Sequence, residues 1–475
     1  MRAAVSATPA RRAASRWAAP SAPPRALMHG HARLSGIFRC LGASARADAR
    51  LFYRGHVLTV APTGTGKGIG AVIPNLLTYE GSALVLDVKG ENYHVTARAR
   101  AAMGHEICLI DPFGVITGAK AQAFNWLDAI DLSSEDCVGR AGDIADFLVV
   151  SDGDKSENAG HFNDSAHGLL RGLILYAASL PPARRHMGEV RRLLTLPWQA
   201  FEDDESLLGA LSVMAVSDAA FGTVKAAAAA LMWTPERERG SVLATARRHT
   251  DFLEDPRLKR ALASSDFSLG DLKSKAKTVY LVLPPGEFTR YSRFVRGAIG
   301  LALQAVTSVP PGPRPVAFML DEFAQLGYMK AIEDAITVVR GYGTALWIFV
   351  QDLSQLKAVY PKWQSFLANA AQQYFGVSDY DTAHYVSSML GQRTVEFHTR
   401  SYSQSYSRGI GGSSGESRSQ HFAGRALLTP DEVMNCGHVI VFIGGERPYA
   451  IQRLNYLWDQ EYAGLADPNP YYAPA

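Results

Sequence analysis

Apolar residues gather in short, nearly continuous runs at residues 56–60, 83–88, 106–110, 278–283, 316–320, 344–350 and 373–377. Runs without polar alternation are what strands covered on both faces look like. The pattern therefore predicts an α/β fold, with a mostly parallel, helix-covered sheet. A further run at 439–443 predicts a last strand, entered through a turn and a helix over 425–432 that has Thr429 as N-cap before Pro430.

The strand rhythm breaks between residues 135 and 265. Helical periodicity fills that stretch instead, at 163–178, 205–215 and the Ala-rich 223–233. Such an interruption predicts an all-α domain at 135–265 inserted into an α/β domain made of residues 51–134 and 266–460, with 461–475 as a C-terminal tail. A set of long crossover helices would give the same pattern. Residues 401–424 hold eight Ser and five Gly and no run able to bury a face, which predicts a flexible loop.

Composition narrows the class. The chain has 475 residues, 47% hydrophobic and 20% charged, with a formal net charge of +3. These are globular values and exclude a disordered tail, a collagen-like repeat or a disulfide scaffold. Residues 1–50 hold nine Arg and a single acid, Asp48, so this leader carries +8 and the remaining body −5. Nucleic acid would have to be held by a local patch, since no basic field covers the body. The leader, rich in Ala, Arg and Pro, reads as a disordered extension or a misplaced start; a transit peptide shares its composition, but a secretory signal needs an apolar core that it lacks. Cys40, Cys108, Cys137 and Cys436 form no C-x-x-C pair. No apolar run approaches the roughly 18 residues of a membrane-spanning helix.

The chemistry is written at strand ends. Residues 56–77, HVLTVAPTGTGKGIGAVIPNLL, read as a strand, a Gly-rich turn and a helix start. Pro62, Thr63, Gly64, Thr65, Gly66, Lys67 and Gly68 would wrap phosphates with backbone N–H groups at a helix N-terminus, and Lys67 would reach the β- and γ-phosphates. The P-loop pattern G-x-x-x-x-G-K-[ST] is met in part: Ala61 replaces the first Gly, and Gly68 replaces the hydroxyl residue that binds Mg2+. Residues 316–322, VAFMLDE, form an apolar strand ending in two acids. Asp321 is assigned to the metal and Glu322 to the attacking water, with ATP and Mg2+ as the implied cofactors of an ATP hydrolase. Gln351, at the tip of the strand 344–350, is a candidate γ-phosphate sensor or a plain helix cap. Arg340, before a Gly-Tyr-Gly turn, is a candidate arginine finger or a charge that compensates a helix dipole.

These residues together resemble the type IV secretion coupling proteins, the TraG-like conjugative DNA-transfer ATPases. The likeness covers about residues 26–460 and includes APTGTGKG and IPNLL at 61–77, LDVKGE at 86–91, IDPF at 110–113, FNWLD at 124–128, LDEFAQLG at 320–327, RGYG at 340–343, QDLSQL at 351–356 and ALLTPDE at 426–432. The resemblance implies a RecA-like P-loop NTPase fold with the inserted all-α domain. It also implies a homo-hexameric ring at the cytoplasmic face of a bacterial inner membrane, with single-stranded DNA or a relaxase–DNA nucleoprotein and type IV channel components as partners. Arg340 would complete a neighbour's site, Asp87, Lys89 and Glu91 would lie near the nucleotide, and the all-α domain would recognise substrate. Arg408, Arg418 and His421 in the Ser/Gly segment are candidate contacts to the strand. Family members usually begin with membrane-spanning helices, and here the Arg-rich leader takes that place, which implies truncation, a misassigned start or peripheral membrane association. Two other readings stay open: a nucleotide-binding docking adaptor for secreted effector proteins, and a soluble DNA-translocating motor of the same core fold.

Overall fold

A computed structural model describes residues 38–43, 50–150, 157–200, 205–312, 314–405 and 413–472. Its strands in chain order are β1 Phe38–Ala43, β2 Arg50–Tyr53, β3 His56–Val60, β4 Ser82–Asp87, β5 Glu106–Ile110, β6 Lys277–Val282, β7 Val316–Leu320, β8 Thr344–Val350, β9 Ala370–Tyr374, β10 Gln392–Ser405, β11 Ser413–Ala426, β12 Val439–Phe442 and β13 Tyr449–Ile451.

Nine of them form one sheet in the order β13-β12-β9-β3-β8-β7-β4-β6-β5. From β9 to β5 all neighbours are parallel, and β12 and β13 extend one edge antiparallel. Six of the seven apolar runs coincide with strands of this sheet and the seventh overlaps β9, and alternate residues of β3 enter different hydrophobic clusters: Leu58 and Val60 in one, Val57 in the other. Both faces are covered, so no polar alternation was available to read.

The strand expected at 373–377 sits three residues earlier. Its apolar signal was misleading because Gln372 and Gln373 are interior residues of β9, buried and bonded: Thr59 Oγ1 donates to Gln373 Oε1 at 3.1 Å, and Gln372 Nε2 donates to Leu367 O at 3.1 Å. A buried amide atom that has a partner costs little, and a sequence pattern does not show the partners; the Gln373 Nε2 is buried without one among the described residues.

The stretch 135–265 contains helices, among them Cys137–Leu148, Glu157–Ser179, Met187–Thr195, Thr223–Trp233 and Glu236–His249, and no strand among the described residues. Its apolar side chains belong to the same cluster as one face of the sheet. The joint is the helix Ser292–Thr307, where Gly297 and Gly300 leave room for the rings of Trp126 and Phe147. A Cβ at either glycine would come within 2.2 Å of a ring carbon. Arg296, on the same helix, ties the helical region to the turn after β7: it donates to Phe147 O at 3.1 Å and to Leu326 O at 3.0 Å.

Two expectations are corrected. Residues 401–405 and 413–424 are not free loop: β10 and β11 pair antiparallel through fourteen residue pairs, from Gln392↔Ala426 to Ser405↔Ser413, while residues 406–412 lie outside the described residues. The hairpin holds itself by ladder bonds and is exposed along residues 396–402 and 415–424, so it leaves no hydrophobic periodicity to read. Within the leader assigned to 1–50, Phe38–Ala43 pairs with Arg50–Tyr53. The prolines of the leader all precede this strand, which itself contains none. The rest of the leader, Arg408 and residues 473–475 lie outside the described residues. The helix Pro430–Met434 starts as expected, with Thr429 N donating to Glu432 Oε2 at 3.0 Å in a capping box. No helix of the described residues is long and apolar enough to cross a membrane.

Candidate nucleotide site

The site lies at the carboxyl ends of three adjacent parallel strands, β3, β8 and β7. At the end of β3 the ladder persists through Ala61 N, which donates to Val350 O at 2.9 Å. Ala61 has no left-handed backbone, so the first glycine of the P-loop pattern is not needed there. Gly64 and Gly66 do need to be glycine, with φ of 81° and 88°. A Cβ at either position would meet no atom within 4 Å, so the space around the loop is open rather than packed. Thr65 Oγ1 donates back to Pro62 O at 2.7 Å and fixes the turn. From Gly68 the chain winds into the helical segment Gly68–Val72 and then Ile73–Leu76, which puts a helix N-terminus beneath the loop.

Lys67 leans from this turn to the tip of β7. Its Nζ lies 2.6 Å from Asp321 Oδ1 and 2.9 Å from Glu322 Oε1. Successive residues of a strand point to opposite faces, so two neighbouring acids do not ordinarily share one lysine. They do here because Glu322 takes the left-handed conformation, φ 49° and ψ 36°, a strained state for a residue with a side chain. Glu322 is held further by two amides: Gln325 Nε2 and Gln351 Nε2 donate to its Oε2 at 3.0 and 3.2 Å. Burial alone would lower the Lys67 pKa, but the two carboxylates outweigh it and raise it. For Glu322 burial acts upward, and Lys67 with the two amide donors brings the pKa down. Both charged forms are thus favoured.

The donors suit a nucleotide–Mg2+ complex. Asp321 and Glu322 offer hard carboxylate oxygens, and among the described residues no three His, Cys, Asp or Glu side chains converge into a closed metal cage. Mg2+ is commonly held this way, by one or two carboxylates with phosphate and water oxygens for the rest.

The structure brings Lys67, Asp321, Glu322 and Gln351 together with the loop 62–68. It does not bring Arg340 to them. Arg340 is exposed in the turn before β8, at the amino end of a strand of seven residues, which spans about 23 Å, while the P-loop follows the carboxyl end of β3. Its charge instead acts on His56, whose pKa falls to about 4, first through burial and then through Arg340.

Asp87 ends β4 and is buried, accepting from Tyr93 N at 2.8 Å. Burial pushes its pKa up to about 7, against the backbone donors of Tyr93 and Asn92. Lys89 and Glu91 are engaged by the C-terminal segment rather than by each other. Lys89 lies over the Tyr471 ring, 5.8 Å from its centre, and Glu91 Oε1 accepts from Asn469 Nδ2 at 2.7 Å.

A family model described as type IV secretory system conjugative DNA transfer matches residues 35–470. The chain belongs to this family. It is 30% identical to the protein VirD4 of Rhizobium radiobacter over 443 residues, covering 87% of this chain and 60% of that protein. It is also 30% identical to a conjugal transfer protein TraG of Escherichia coli over 432 residues, covering 84% and 65%. The chain therefore spans about three fifths of the length of these conjugative-transfer relatives. Among solved structures, the unbound bacterial conjugative coupling protein TrwBdeltaN70 superposes with a TM-score of 0.61 at 18% identity, over 84% of this chain and 86% of that one. The plasmid coupling protein TrwB in complex with ADP and Mg2+ superposes with a TM-score of 0.61 at 18% identity, over 88% and 87%. The RecA-like P-loop fold expected from the motifs is thus shared with these coupling proteins.

Within this conjugative-transfer fold, sequence reasoning missed two groups near the loop. Gln325 lay inside the quoted DEFAQLG motif, but nothing in its spacing told that it would turn back to Glu322. Asn469 stands more than 370 positions from its partner Glu91, in a C-terminal segment that crosses the P-loop helix, where Tyr456 N donates to Ile69 O at 3.5 Å.

Proposed function

We propose that this chain is the ATP-hydrolysing motor of a coupling protein that recruits nucleoprotein and drives DNA into a type IV secretion channel. The observation that carries the reading is the contact of Lys67 with both Asp321 and Glu322, in a chain that matches the conjugative DNA-transfer family over residues 35–470. Lys67 is already charged, so phosphate oxygens can compete with the two carboxylates for it. With Lys67 on the phosphates, Asp321 would be free to hold the metal, and Glu322, steadied by Gln325 and Gln351, would hold and deprotonate the attacking water. Bound Mg2+ would offset charge on the phosphate oxygens. That the relative TrwB was solved with ADP and Mg2+ supports the same cofactors here.

The position of Arg340, away from Lys67 and exposed, favours action on a neighbouring subunit, hence a ring, with six subunits as the family resemblance implies. DNA contact is assigned to local groups because the body is acidic. The β10–β11 hairpin carries Arg393, Arg400, Arg418 and Arg425 with exposed Phe397, Tyr402 and Phe422, a mixture that suits phosphates and stacked bases. The helical region at 135–265 is assigned to substrate recognition, and the molecule is assigned to the cytoplasmic face of the inner membrane by peripheral association with the channel.

The test is displacement of streptavidin from the end of a biotinylated single-stranded oligonucleotide. ATP-dependent displacement that fails with a non-hydrolysable analogue supports the motor. Nucleotide binding without displacement, together with retention of effector protein, would support the docking adaptor instead.

A further inference from the structure

Gly68 stands where the P-loop pattern places a Ser or Thr whose hydroxyl faces the cation. Nothing local demands glycine there. Its φ is not in the left-handed region, and a Cβ built on it would meet one atom within 4 Å, the Oε1 of Glu91 at 4.0 Å. The nearest neighbour of the missing side chain is thus itself a hard oxygen.

Glu91 is held in that position from a distance. Its Oε1 accepts from Asn469 Nδ2 at 2.7 Å, and Asn469, 7% exposed, also donates to Tyr456 Oη at 2.8 Å. Tyr456 N in turn donates to Ile69 O, one residue beyond Gly68. The C-terminal segment therefore fixes Glu91 relative to the P-loop itself. As the first residue of the helix Glu91–Ala102 a glutamate would be favourable for the helix dipole alone, but a side chain serving only that end would not need a remote amide to aim it. The second oxygen, Oε2, makes no hydrogen bond among the described residues, while Lys67 is engaged by Asp321 and Glu322.

We propose that Glu91 supplies to the divalent cation of the bound nucleotide the oxygen that Gly68 cannot, with Asn469 as its positioning residue. The inference rests on the nucleotide-binding reading. A carboxylate in place of a hydroxyl is a harder, charged ligand of the kind Mg2+ accepts, and it accounts for a P-loop that dispenses with its hydroxyl.

The experiment is titration calorimetry of ADP with excess Mg2+ and with EDTA, together with electron spin resonance of Mn2+ bound in the Mn2+·ADP complex. Wild type should bind ADP more tightly with Mg2+. Glu91→Gln keeps the acceptor for Asn469, so it should retain the EDTA affinity but lose most of the Mg2+-dependent gain, by about tenfold, and weaken Mn2+ retention. Adding Gly68→Ser to that variant should restore the gain, since the site has room for the side chain. Asn469→Leu should lose part of it. A Glu91→Gln protein with the full Mg2+ gain overturns the proposal while leaving nucleotide binding intact. Wild type that binds ADP in neither condition overturns both.

Discussion

Gln351 Nε2 donates to Glu322 Oε2 at 3.2 Å, so the tip of β8 touches the acid at the tip of β7. The bond makes Gln351 a holder of the carboxylate proposed to activate water. Loss of the amide should release Glu322 without emptying the P-loop. Gln351→Ala is expected to lower kcat for ATP by roughly 10²-fold, the scale seen when one positioned donor is removed, with nucleotide Kd within a few fold of wild type. Steady-state phosphate release and nucleotide titration check both numbers.

Arg340 and Lys67 belong to opposite ends of the sheet, and the pair gives a test of action between subunits. Lys67→Ala destroys a subunit's own phosphate site but leaves its Arg340; Arg340→Ala does the reverse. Each protein alone should be inactive. Mixed in equal amounts they should recover part of the activity, because a Lys67→Ala subunit offers its arginine to the intact site of its neighbour. Lack of recovery in mixtures shown to exchange subunits would remove Arg340 from the mechanism.

Asp87 gives a pH signature. Its carboxyl titrates at about 7 in the fold because burial disfavours the charge, against about 4 when unfolded. Between these values the native state holds a proton that the unfolded state has lost, so this group's contribution to stability falls as pH rises from about 4 to 7. Asp87→Asn removes the titration. It should be more stable than wild type at pH 8, by up to about 4 kcal/mol, and the difference should vanish near pH 4. Chemical denaturation of both proteins across that range measures it.

Much of the site was legible because phosphate chemistry restricts residue types at strand ends. Glycines with φ near 80° at 64 and 66, a lysine at 67 and paired acids at 321 and 322 leave few alternatives, and covered parallel strands announce themselves as apolar runs. What was illegible has a common cause, which is pairing over distance. The left-handed turn at Glu322 leaves no mark in composition. The hairpin β10–β11 is bonded by backbone to itself, and its exposed faces carry no periodicity. Gln372 and Gln373 look like loop residues until Leu367 and Thr59 are beside them. Asn469 meets Glu91 across a separation of 378 positions.

Glu322 is proposed to activate water for ATP hydrolysis in a DNA-dependent motor. Phosphate release should be measured for wild type and Glu322→Gln, with Mg2+·ATP, with and without single-stranded DNA. The account predicts hydrolysis that DNA stimulates in wild type, and a loss of roughly 10²- to 10⁴-fold in Glu322→Gln with ATP still bound. Equal rates in the two proteins, or wild-type protein that binds ATP and DNA yet never hydrolyses, would contradict it.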